Sequence, residues 1–142
     1  MKQQTYANHS RLVFGFHGIL FLMMLAFLIG SIMNLISCTK ENLYAASLLV
    51  LLAFILVLLS FYLRAFALKA QDKAIKAEES LRYFVLTGKA LPSNVKVRQI
   101  IGLRFASDEE FVSLVDRAVK ENLSEKEIKK SIKNWRADNY RV

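Results

Sequence analysis

Cysteine, proline, glycine and histidine are all scarce in this chain of 142 residues, and each scarcity closes off a class of function. A single cysteine, Cys38, excludes an intramolecular disulfide. The histidines, His9 and His17, and Cys38 are the only nitrogen or sulfur metal ligands. They are too few and too dispersed for a closed zinc site. Five glycines are scattered along the chain, none in the strand–loop–helix setting that cradles a phosphate. No histidine follows position 17, so the C-terminal half lacks the base of a Ser/His/Asp triad. Asp108, Glu109 and Glu110 are clustered carboxylates, but they fall in the first turn of an expected helix, where negative charge complements the dipole. The expectation is a protein that is not an enzyme and holds no cofactor or metal.

What the chain has in quantity is apolar residues, 54% of the total. They gather in two runs, residues 12–36 and 43–68, on either side of a short polar break, 37–42. Each run exceeds the roughly 20 apolar residues needed to cross a bilayer. The break has room only for a tight turn. The expected fold is therefore an all-α membrane protein that opens with a two-span transmembrane helical hairpin. Its spans are 12–36 and 43–63, joined by an external turn at 37–42.

Charge sets the expected orientation. The formal net charge is +8, and from Arg64 onward there are 17 Lys/Arg against 11 Asp/Glu. Lys2 and Arg11 precede the first span without any acid, and Arg64, Lys69, Lys73 and Lys76 follow the second. Basic residues near spans stay on the cytoplasmic side. Both termini are thus expected in the cytoplasm, including the N-terminal segment 1–11. Tyr6, Tyr44, Phe61 and Tyr62 stand where interfacial aromatics belong. Leu35-Ile36-Ser37-Cys38 has the form of a lipoprotein cleavage box, but the apolar run before it is far longer than the roughly 7–15 residues of a cleavable signal core. Cys38 is read as an ordinary loop thiol.

Within the first span, Gly18, Leu22, Ala26, Gly30 and Asn34 recur every fourth residue. Small residues so placed let a second helix approach closely; the second span is the expected partner, with another subunit as the alternative. His17 is the one ionisable group in this run; six residues past Arg11, it is expected near the interface, neutral and hydrogen-bonded. The second span is almost purely Leu, Val, Ile, Phe and Ala, which offers no polar lining for transport.

No Gly or Pro interrupts residues 43–87, so the second span is expected to continue as a cytoplasmic stalk, 64–88, ending at Gly88. Asp72 with Lys76 and Glu78 with Arg82 have the spacing of ion pairs along it. Leu63, Ala67, Ala70, Ala74, Ala77, Leu81 and Phe84 follow alternating steps of four and three, a heptad seam suited either to self-association or simply to a stable helix.

Residues 89–142 read as a basic three-helix unit. Pro92 stops the stalk, and Ser93 is placed to cap a short helix running to about Leu103. Ser107 with Glu110 and Ser124 with Glu127 have capping-box spacing, and Leu123 with Ile128 has that of a hydrophobic staple. Phe111, Leu114, Val115, Ala118 and Val119 mark one buried face; Ile128, Ile132 and Trp135 mark that of the last helix. Lys126, Lys129, Lys130 and Lys133 fall opposite, followed by Arg136 and Arg141. Such cations suit a protein partner or anionic lipid. The turn 122–124 between helices has helix-turn-helix spacing, but a lysine-only face has little with which to read bases, so nucleic acid is not expected.

Gln4-Thr5-Tyr6-Ala7-Asn8-His9, the two runs, Ala67-Leu68-Lys69-Ala70-Gln71-Asp72, Leu103-Arg104-Phe105-Ala106-Ser107-Asp108-Glu109-Glu110 and the ending from Glu127-Ile128-Lys129-Lys130 through Val142 together resemble a family of small bacterial two-span inner-membrane proteins classed as a domain of unknown function. Some members of that family are labelled transporter permeases. The resemblance covers essentially the whole chain and implies a bacterial inner-membrane location with the first span retained. It implies no activity. The expected role is a membrane-anchored adaptor or accessory subunit, with a lipid- or nucleic-acid-binding tether or a small component of a transport complex as alternatives.

Overall fold

The computed structural model describes residues 5–6 and 13–138. These are mostly helical, with no strand among the described residues. A π-helical turn, Gly15–Leu20, leads into α1, Phe21–Ser37. A 3-10 turn, Lys40–Asn42, leads into α2, Leu43–Thr87, and three short helices follow: α3, Val97–Leu103; α4, Asp108–Lys120; and α5, Glu125–Ser131. Chain contacts divide the molecule into two units, residues 12–67 and residues 68–142 with the N-terminal segment.

In the first unit, the continuous helix Gly15–Ser37 and the helix containing α2 are both long and apolar enough to cross a membrane. Few of their residues are buried within the chain: Ser31, Ala46 and Ala53 are, whereas Phe14, Ile36 and Tyr44 are each more than three-quarters exposed. α1 and α2 meet where Ser60 Oγ donates to Met24 Sδ at 3.1 Å and where Leu20, Met23, Met24 and Phe27 surround a small apolar cavity with Ala53 and Leu56. At this contact α2 contributes the small Ala53 and Ser60, and α1 contributes large side chains. The small-residue stripe does not face α2: Leu22, Ala26, Gly30 and Asn34 are exposed, and Gly18 is half-buried against the Phe14 ring. Both faces of α1 are apolar, so spacing alone does not fix which one meets α2. His17 is exposed, with Nδ1 3.1 Å from the Val13 carbonyl oxygen.

The second unit is built around part of α2. Ile75 and Tyr83 from α2 join Ile100, Leu103, Phe105, Phe111, Val115, Ala118 and Ile128 in one core. Phe111 packs edge-on to Tyr83, with ring centroids 6.4 Å apart. α2 ends as its sequence predicts: Gly88 adopts φ +71°, which a glycine takes without a Cβ clash, and its N–H donates to the Phe84 carbonyl. The buried face expected of α4 is present, with Phe111, Leu114, Val115 and Ala118 buried and Val119 half-buried.

Three local expectations are corrected. α3 begins after Lys96 rather than Ser93, because Gln99 Oε1 accepts the Lys96 N–H at 2.9 Å and closes the first turn there. The Ser124–Glu127 capping box forms, but the Ser107–Glu110 box does not. Glu110 instead uses its carboxylate to accept the N–H groups of Lys133 at 3.2 Å and Asn134 at 3.0 Å. The last helix is shorter than its apolar spacing suggests. It stops at Ser131, Ile132 turns extended, and Trp135 makes an isolated antiparallel bridge with Ala106. Ile132 and Trp135 still reach the core, but from an extended segment.

Candidate functional site

Charged residues converge where α2 meets the loop before α4 and the extended C-terminal segment. Glu79 is 5% exposed, an expensive position for a carboxylate unless it is paired. Its partner is Arg82, with Nη1 3.0 Å from Glu79 Oε2, and Arg136 Nη1 lies 3.9 Å from the other carboxylate oxygen. Arg82 also holds Asp108 through Nε at 2.7 Å and Nη2 at 2.6 Å, and donates to the Ala106 carbonyl at 2.7 Å. Its guanidinium carbon stands 4.2 Å from the centroid of the Phe111 ring. Arg104, buried beside the Phe105 ring, pairs with Asp138 at 3.3 Å. A cavity of about 150 Å³ opens among Glu78, Glu79, Arg104, Arg136 and Asp138.

Spacing pairs Arg82 with Glu78. The structure gives it Glu79, because the α2 face carrying Ile75, Glu79 and Tyr83 is the one turned to the core while Glu78 stays exposed. Asp72 and Lys76, also at ion-pair spacing, form no salt bridge among the described residues. The cluster is a clasp: opposite charges are matched across three segments, and Arg82 joins them by a fork of donors with a flat face for Phe111.

The basic residues are dispersed rather than aligned. Lys126 and Lys130 lie on the outer side of α5, and Lys133 is exposed just beyond it. Lys130 Nζ stands 5.9 Å from the centroid of the Tyr6 ring. Lys129 is buried, ion-paired with Glu125 at 2.6 Å and placed over the Phe105 ring. Arg136 is about half exposed beside Glu79. Arg141 lies outside the described residues, as do His9 and Arg11. Of the stalk residues in the seam, Ala67, Ala70, Ala74 and Ala77 carry no part of the core.

Glu127 is held below the ordinary carboxylate range by the Ser124 hydroxyl first and the Ser124 backbone N–H second. Both bonds belong to the α5 cap. Among the described residues, no group of three or more His, Cys, Asp or Glu side chains is placed to hold a metal ion. Gln99 is a polar residue that sequence patterns do not single out: it is buried, and its amide nitrogen donates to the Ala118 carbonyl at 2.9 Å and the Leu123 carbonyl at 3.0 Å. Its only sequence signal is its place three residues after Lys96.

The fold and the clasp define an all-α protein with two apolar helices of membrane-spanning length and a small helical unit fastened by buried ion pairs. The chain belongs to the family of unknown function DUF6526, whose profile matches residues 1–142. Nothing among curated proteins or solved structures matches it.

Proposed function

We propose that this protein is a non-enzymatic, membrane-anchored adaptor of the bacterial inner membrane. In this reading 12–36 and 43–63 form a transmembrane hairpin, the turn 37–42 is external, and both termini are cytoplasmic. The observation that carries it is the outward apolar surface of α1 and α2. Leu22, Met23, Phe54, Leu58 and Phe61 are each more than half exposed, an apolar area that a soluble monomer does not present to water. Lipid is the medium that removes its cost. Arg64, Lys69, Lys73 and Lys76 after the second run support a cytoplasmic placement for residues 64–142.

The helical unit then offers its outer cations, Lys126, Lys130 and Lys133, to an acidic surface on a protein partner. The ionic clasp supports a binding role over a chemical one, since Glu79 is matched internally with Arg82 and Arg136. Affinity purification of the full chain in mild detergent, followed by mass spectrometry, tests this. A partner retained in fixed ratio, and lost when Lys126, Lys130 and Lys133 are changed to Glu, is the expected result. Repeated recovery of the chain alone sinks the adaptor reading.

A second reading is favoured by the same outer lysines: contact with anionic lipid headgroups, each cation contributing about 1 kcal/mol near the surface. Its test uses the full chain in nanodiscs of neutral or anionic lipid. Acetylation of Lys126, Lys130 and Lys133 should slow in anionic discs and recover at high salt. Equal labelling in both lipids excludes it.

A further inference from the structure

We infer that the stalk part of α2 pairs with the same segment of a second copy of this chain, as a parallel two-stranded coiled coil. The inference rests on the membrane-anchored reading for its orientation, because two copies inserted the same way present their stalks side by side and parallel.

The first observation is where the helical unit packs. Numbering the heptad with Ala74 and Leu81 at a, and Ala70, Ala77 and Phe84 at d, places Ile75 and Arg82 at b, Tyr83 at c and Glu79 at f. These b, c and f residues are the ones that the rest of the unit covers: Ile75, Glu79 and Tyr83 are buried, and Arg82 is nearly so. The a and d positions are all exposed; Ala70, Ala77, Leu81 and Phe84 stand clear of the unit, and Ala74 borders the cavity beside Arg104 and Arg136. At the end of the seam stand Leu81, Phe84 and Val85, with 64%, 54% and 74% of their surface open. The unit thus covers one side of the stalk, reaches the edge of the seam at Gln71, Ala74 and Glu78, and leaves the rest of the coiled-coil side bare.

The second observation is charge. In a parallel pair, the g residue of one helix meets the e residue five positions on in the other. Lys73 is at g and Glu78 at e, both exposed. Each Lys73 therefore faces the Glu78 of the second copy, twice by symmetry, and the other flanking positions, Gln71, Ser80 and Val85, bring no like charges together. Alanines at a and d let the two backbones approach closely, and Leu81 and Phe84 close the apolar end. Two heptads are short for a free peptide, but anchoring both copies in one bilayer raises their effective concentration.

The test uses the full chain in native membranes with Cys38→Ser as background. In a parallel, in-register pair, each a or d residue meets its own copy, so Ala74→Cys and Ala77→Cys should each give a disulfide-linked dimer under mild oxidation. Lys76→Cys, at an outward c position, should give several-fold less. Lys73→Glu should reduce the Ala77→Cys dimer by about threefold, and adding Glu78→Lys should restore it. Equal yields at 74, 76 and 77, no dimer at any of them, or no restoration by the charge swap overturns the pairing. Retention in the membrane after an alkaline wash is scored on the same samples, so loss of anchoring reads out separately from loss of the dimer.

Discussion

Gly102 has no room for a methyl group. A Cβ there would stand 3.1 Å from the Glu125 carbonyl oxygen and 3.2 Å from Ile128 Cγ2. The oxygen belongs to the backbone of α5 and cannot swing aside, so Gly102→Ala should destabilise the helical unit by about 1–3 kcal/mol, read as a lower midpoint of thermal unfolding in detergent. Glu79→Ala should cost about 1–3 kcal/mol, because it strips a nearly buried guanidinium of one of its two carboxylates while Asp108 stays. Thermal unfolding checks this as well, with the exposed Glu78→Ala as the milder comparison. Neither residue stands out in the sequence. Gly102 is one of five scattered glycines, and Glu79 sits beside a second glutamate with equally good helical spacing to Arg82. What distinguishes them is the element that lies across from each.

The C-terminal helix and the segment after it are held by two carboxylates that do different jobs. Glu127 closes the α5 cap: its carboxylate accepts from the Ser124 N–H at 2.7 Å and hydroxyl at 2.6 Å. Because these bonds lower its folded pKa, the cap stabilises α5 above the ordinary carboxylate value and is lost as pH falls through the lower folded one. Amide exchange in α5, corrected for its intrinsic pH dependence, should quicken over that acidic window, and Ser124→Ala, which leaves only the backbone N–H on Glu127, should reduce the pH effect while costing about 1 kcal/mol at neutral pH. Glu110 has the spacing of a cap and serves as a latch. Glu110→Ala should speed exchange of the Lys133 and Asn134 amides by about tenfold or more while leaving α4 helical by circular dichroism. The Ser124 cap is legible because both of its members lie within one turn. The Glu110 latch is not, because its partners are two backbone N–H groups brought over by the fold.

At the scale of the whole molecule, the lone cysteine makes the proposed topology measurable. Cys38 follows α1 directly and is half-buried, its thiol donating to the Leu35 carbonyl at 3.3 Å. If the turn 37–42 is external, a membrane-impermeant maleimide should label Cys38 in intact spheroplasts. Ala137→Cys in a Cys38→Ser background should be labelled only after lysis. The reverse pattern would invert the orientation, and failure of Cys38 to label in either state would point to a blocked thiol.

Local composition determined the two apolar helices, the uninterrupted run of α2 to its glycine stop, the buried face of α4 and the cap of α5, since each depends on residues within a few turns of one another. Tertiary structure alone decided which face each helix turns inward. It set Ala53 and Ser60 of α2 against the larger side chains of α1 and left the Gly30–Asn34 end of the small-residue stripe outward. It gave Arg82 to Glu79, turned Lys129 into the core and ended α5 at Ser131. The physical reason is common to all of these. A helix with apolar or charged residues on several faces satisfies its own backbone equally well in any rotation about its axis, and only packing against the other elements selects one.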